Sequence, residues 1–73
     1  MAELLVCIDD ANRLIEINVA LARNNCGQPN RGWESAGWFP NIHDALTEGK
    51  EWLSDAKGNG FTRGTTSLPR LAA

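Results

Sequence analysis

Cysteine, histidine and one-signed charge are all scarce here: the 73 residues include two cysteines, one histidine, seven basic and nine acidic side chains. Cys7 and Cys26 belong to no C-x-x-C pair and His43 stands far from both, so neither a zinc site nor a disulfide framework is expected. Cys7 lies among Leu4, Leu5, Val6 and Ile8, where a thiol serves as a small apolar side chain. Cys26 falls in a polar stretch and would pair with Cys7 only in an oxidising compartment. The opening MAELLVCIDD has no basic start followed by a long apolar segment, so no export signal is expected and the location reads as cytoplasmic. No apolar run approaches the ~20 residues that a membrane helix needs.

A formal net charge of −2 argues against a chain that grips a nucleic-acid backbone across its whole surface. Arg13, Arg23, Arg31, Lys50, Lys57, Arg63 and Arg70 are dispersed and never form a run. What is present suits one small core. The apolar share is 42%, and a core of this size supplies only about 3–5 kcal/mol of net stability. A deep pocket would be costly in such a domain, which favours recognition by surface residues over catalysis.

The expected architecture is α+β: a three-stranded antiparallel sheet, made of a hairpin plus a third strand, packed by one helix. Residues 3–8 alternate Leu4, Val6 and Ile8 against Leu5 and Cys7, so both faces are apolar and the strand suits the centre of a sheet. Asp9 to Asn12 supply a turn. Residues 13–22 place Ile15, Ile17, Val19 and Leu21 on one face. The stretch NNCGQPNRG at 24–32 reads as a long connection, and 33–39 as the third strand, with a bulge or close backbone approach at Gly37. After Pro40, Asn41 is a helix cap, and Ile42, Ala45, Leu46, Gly49, Trp52, Leu53 and Ala56 recur at helical spacing as one apolar stripe. Gly49 inside that stripe predicts close approach of helix and sheet, Trp52 is placed in the core, and Gly58 is expected to cap the helix in the left-handed conformation. The compact domain thus spans 1–57, followed by a mobile tail over 58–73 from which Phe61 can tuck back onto the core.

Few side chains suggest chemistry. His43 beside Asp44 has the composition of a general base but no positioned nucleophile to serve, and reads as a solvent-facing helix residue. The GNG at 58–60 follows a helix rather than opening one, so it reads as cap and hinge, not as a phosphate loop. No enzyme, metal or cofactor is therefore expected. Two recognition features remain. Asp44, Glu48, Glu51 and Asp55 are spaced by four, three and four, forming an acidic stripe whose like charges repel by a few tenths of a kcal/mol per pair. Trp33 and Trp38 follow the loop, and an exposed tryptophan near Arg31 has the make-up of a binding hot spot, with Arg13 as a further candidate contact.

In size, charge and element order the chain resembles small host-takeover proteins encoded by bacteriophages, and among them the RNA-polymerase-binding inhibitors and antiterminators of lytic Xanthomonas phages. The likeness is one of layout, so it transfers no site residue. It implies docking on RNA polymerase in the host cytoplasm, inhibition of initiation and read-through of terminators; a monomer is expected. The partner-binding residues would then be Arg13, Arg31, Trp33 and Trp38. Two alternatives stand beside this expectation. One is an anti-CRISPR nucleic-acid mimic using Asp44, Glu48, Glu51 and Asp55; the other is a structural protein that self-assembles through an exposed strand edge.

Overall fold

The computed structural model describes residues 1–21 and 32–68. Most of the 24–32 connection, with Arg31 and Cys26, lies outside the described residues, as do residues 69–73. The elements are β1 (Ala2–Asp9), β2 (Leu14–Leu21), β3 (Glu34–Phe39), α1 (Ile42–Gly58) and β4 (Arg63–Ser67). They form an α+β fold whose one helix packs on a four-stranded sheet of order β3-β1-β2-β4.

β1 is central, as its two apolar faces require. It pairs antiparallel with β2, from Ala2 opposite Leu21 to Asp9 opposite Leu14, and antiparallel with β3 on its other side. The β1–β3 ladder slips: Glu3 faces Trp38 and Leu5 faces Ser35, so β3 carries one more residue than β1 between these pairs. Gly37 sits in that bulge at φ +126°, a backbone angle that side-chain-bearing residues rarely adopt, and its N–H donates to Ser35 Oγ at 3.3 Å.

The fourth strand corrects the expectation of three antiparallel strands, and it places residues 63–67 of the expected tail in the sheet. β4 runs parallel to β2, with Leu14 opposite Arg63 and Asn18 opposite Ser67, so the sheet is mixed. All five β4 residues are exposed. The sequence RGTTS therefore has no buried apolar alternation to announce it, and the strand is held by the backbone ladder to β2 and by close packing at Gly64. A Cβ on Gly64 would come within 2.9 Å of Leu53 Cδ2, so the missing side chain is what lets the strand lie under the helix.

The core lies between α1 and the sheet face bearing Leu4, Val6, Ile15, Ile17 and Val19. Leu4, Ile17 and Val19 are the largest wholly buried side chains, each contributing about 1.5–3 kcal/mol by removal from water. Helix approach is set by Ala45 and Gly49, both buried. A Cβ on Gly49 would lie 2.5 Å from Ile17 Cδ1 and 3.3 Å from Leu4 Cδ1, which bears out the expected close contact.

The helix begins where Asn41, in extended conformation, accepts the Asp44 N–H on its side chain at 2.8 Å. It ends one residue later than expected. Gly58 is helical, Asn59 is the cap at φ −102°, and Gly60 takes the left-handed role at φ +93°. The Gly60 N–H donates to the Lys57 carbonyl at 3.2 Å and the Phe61 N–H to the Ala56 carbonyl at 3.0 Å, the paired bonds of a Schellman ending that turns Phe61 back toward the core.

Candidate functional site

The apolar face beneath the helix is not covered evenly. Ile15 is 2% exposed, whereas Ile8, its partner across the β1–β2 ladder, is 47% exposed. Trp52 on α1 is 36% exposed, which corrects its expected place in the core. Helical spacing explains the correction: Trp52 is four residues after Glu48 and three before Asp55, so it stands on the border of the acidic stripe and shares a face with those carboxylates.

Around these two side chains lies a cleft of about 380 Å³ with Ile8, Ile15, Trp52 and Phe61 as its apolar surface and Glu48, Glu51 and Asp55 on its helix side. A second depression of about 290 Å³ lies against the same Ile8 and Trp52 and is bordered by Asp10 and Glu34. Ile8 and Trp52 thus form a shared ridge with carboxylates on both sides, and no basic side chain lines either depression among the described residues. Basic groups lie beyond Phe61, where Lys57 and Arg63 border a separate depression over Ile15 and Leu53.

The Phe61 wall is fixed by Arg13. This residue closes the β1–β2 turn at φ +54°, and its guanidinium donates to the Asn59 carbonyl at 2.6 Å while lying 4.5 Å from the Phe61 ring centroid. Its own carbonyl accepts the Thr62 N–H at 3.0 Å. Arg13 therefore ties hairpin turn, helix end and the approach to β4 together, and its charge is engaged inside the chain. The turn is braced on its other side by Asp9, whose carboxylate accepts from Asn12 Nδ2 at 2.8 Å and from the Asn12 N–H at 3.1 Å. The Asn12 side-chain bond, then the Asn12 backbone bond, holds the Asp9 carboxyl below its ordinary pKa.

The expected site residues are not gathered in one place. Arg31 lies outside the described residues. Trp38 is 49% exposed and pairs with Glu3, at the end of β1 opposite to the Arg13 turn. Trp33 is half-buried, and its indole Nε1–H is buried with no acceptor among the described residues. Of the acidic stripe, Glu48, Glu51 and Asp55 border the cleft, whereas Asp44 sits in the first helical turn with its carboxylate 3.6 Å from His43 Nδ1. His43 itself is 88% exposed. Among the described residues no group of three or more His, Cys, Asp or Glu side chains is placed to hold a metal ion, and no helix is long and apolar enough to cross a membrane. Ile8, Ile15, Trp52 and Phe61, the apolar surface of the cleft, were not assigned to a site by sequence reasoning; for Trp52, its spacing from Glu48 and Asp55 was the available signal.

The chain matches no protein-family model, and no curated protein or solved structure is significantly similar to it.

Proposed function

We propose that this protein is a non-enzymatic binding module that docks on a host macromolecular complex and modulates it, with bacterial RNA polymerase as the leading partner and inhibition of initiation with antitermination as the outcome. The observation that carries docking is the Ile8–Trp52 ridge, two large apolar side chains left half-open to solvent between carboxylate-bearing walls. In a domain with so small a core, Ile8 at 47% and Trp52 at 36% exposure leave unrealised about a third to a half of a burial worth roughly 1.5–3 kcal/mol per side chain, so a partner that covers them recovers about 1 kcal/mol from each. The choice of RNA polymerase rests on likeness of size and element order to phage host-takeover proteins.

One observation favours an anti-CRISPR mimic as the alternative: Glu48, Glu51 and Asp55 all border one cleft, as an imitation of nucleic-acid phosphates would require. Affinity capture from a bacterial lysate with the tagged protein, beside a Trp52→Ala control, tests the leading reading. Polymerase subunits retained by the wild type and lost from the control are expected, followed by altered termination in a purified transcription reaction. Equal retention by both proteins, or unaltered initiation and termination, would refute it. Recovery of the protein's own second copy alone would point to self-assembly through the edge strands β3 and β4.

A further inference from the structure

We infer that the Ile8–Trp52 ridge receives a cationic segment of a partner protein, one that carries arginine or lysine side chains on either side of an apolar residue. This inference rests on the docking reading above and specifies the chemistry of what docks. Three observations converge on it. First, the exposed floor is apolar and aromatic, and the aliphatic stems of Arg and Lys lie favourably along such surface while their charged heads reach out of it. Second, the carboxylates stand on both sides of the ridge: Glu48, Glu51 and Asp55 along the helix, Asp10 and Glu34 along the sheet. A head group leaving the ridge in either direction therefore meets an acceptor, and a guanidinium over Trp52 gains the attraction of the indole face. Third, there are two depressions, of about 380 and 290 Å³, divided by one ridge. That shape takes successive side chains of a peptide better than it takes one compact cation.

The same carboxylates carry a second consequence. Glu48, Glu51 and Asp55 are neighbours on one helix face and repel one another in the free protein. Neutralising them should raise thermal stability while weakening the complex, since a binding surface commonly sacrifices stability for function. Carboxylates with a merely structural role would move stability the other way.

The test uses the full chain and a fluorescently labelled arginine–leucine repeat peptide, with a glutamate–leucine peptide and spermine as comparators, read by fluorescence anisotropy. The arginine–leucine peptide should bind, weaken as salt is raised, and lose about tenfold in affinity in the triple variant Glu48→Gln, Glu51→Gln, Asp55→Asn, from three screened charge contacts removed together. That variant should also melt at a higher temperature than the wild type, which excludes misfolding as the cause of lost binding. Thr65→Ala, on the exposed edge strand, should bind as the wild type does. Unchanged affinity in the triple variant, equal binding of the glutamate–leucine peptide, or spermine binding as tightly as the peptide would each overturn the inference. Failure here is separable from failure of the docking reading. Polymerase captured equally by wild type and triple variant would sink the cationic segment and leave docking intact, whereas charge-dependent peptide binding without polymerase capture would sink the polymerase and leave the cationic segment.

Discussion

The two ends of the helix–sheet interface are built from the same elements and differ in nearly every physical respect. Toward the start of α1, Ala45 and Gly49 bring the helix backbone onto Leu4 and Ile17, and the side chains between them are wholly buried. Toward its end, Trp52 and Phe61 meet Ile8 around an open cleft edged with carboxylates. Small helix residues close the first end by allowing contact; a large one at the border of a charged stripe leaves the second end open. One amphipathic helix thus seals the core where its small residues meet the sheet and leaves an acid-edged apolar cleft where Trp52 stands at the border of the stripe.

The strongest way to break this contrast is at the closed end. Ile17→Ala removes a wholly buried side chain that touches the helix and should cost about 2–5 kcal/mol, read as a lower midpoint in urea unfolding. Gly49→Val tests the same contact from the helix side. Its added atoms would enter space that lies 2.5 Å from Ile17 Cδ1, and overpacking of this kind should cost about 1–3 kcal/mol by the same assay. A loss well below 1 kcal/mol for both would mean that the closed end is not where stability resides.

Arg13→Ala sharpens the comparison at the other end, since it removes the guanidinium bond to the Asn59 carbonyl and the stacking on Phe61. It should cost about 1–2 kcal/mol and loosen Phe61, visible as faster amide exchange at Phe61 and Thr62. A smaller effect is expected in the turn itself. Because Asn12 holds the Asp9 carboxyl below its ordinary value, the Asp9 contribution to stability is full above the unfolded-state pKa and is lost as pH falls through the folded one. Asn12→Ala should bring the Asp9 carboxyl up toward 3.8, the ordinary value, in an NMR titration of the side-chain carboxyl, and should flatten that part of the acid dependence. An Asp9 titration unchanged by the substitution would remove the Asn12 side chain as the cause, since the substitution keeps the backbone donor.

Where apolar periodicity was strong, the fold was legible in the sequence. Alternation in β1 and β2, Asn41 as the cap, Gly49 as the contact point and the bulge at Gly37 all follow from residue type and spacing. β4 was not legible, because an edge strand held by its backbone ladder and by a glycine under Leu53 carries no apolar pattern. The left-handed glycine that ends the helix lies two residues beyond the expected Gly58 for a related reason: Gly58 and Gly60 both suit that conformation by residue type, and only the bonds from Gly60 and Phe61 decide between them. The site was legible in part. The acidic stripe is a property of helical spacing, but its meeting with Ile8 depends on where the helix crosses the sheet. Trp52 was assigned to the core because hydrophobicity alone cannot tell the middle of a stripe from its edge.

On the proposed reading, the open end binds while the closed end stabilises. Mapping of backbone amide shifts by ¹H–¹⁵N NMR during titration with the arginine–leucine peptide tests it most directly. The largest shifts are expected at Ile8, Asp10, Glu48, Glu51, Trp52 and Asp55, with Leu4, Ala45 and Gly49 nearly still. Shifts concentrated instead around Trp38 and Glu3, at the far end of β1, or spread evenly over the chain, would contradict it.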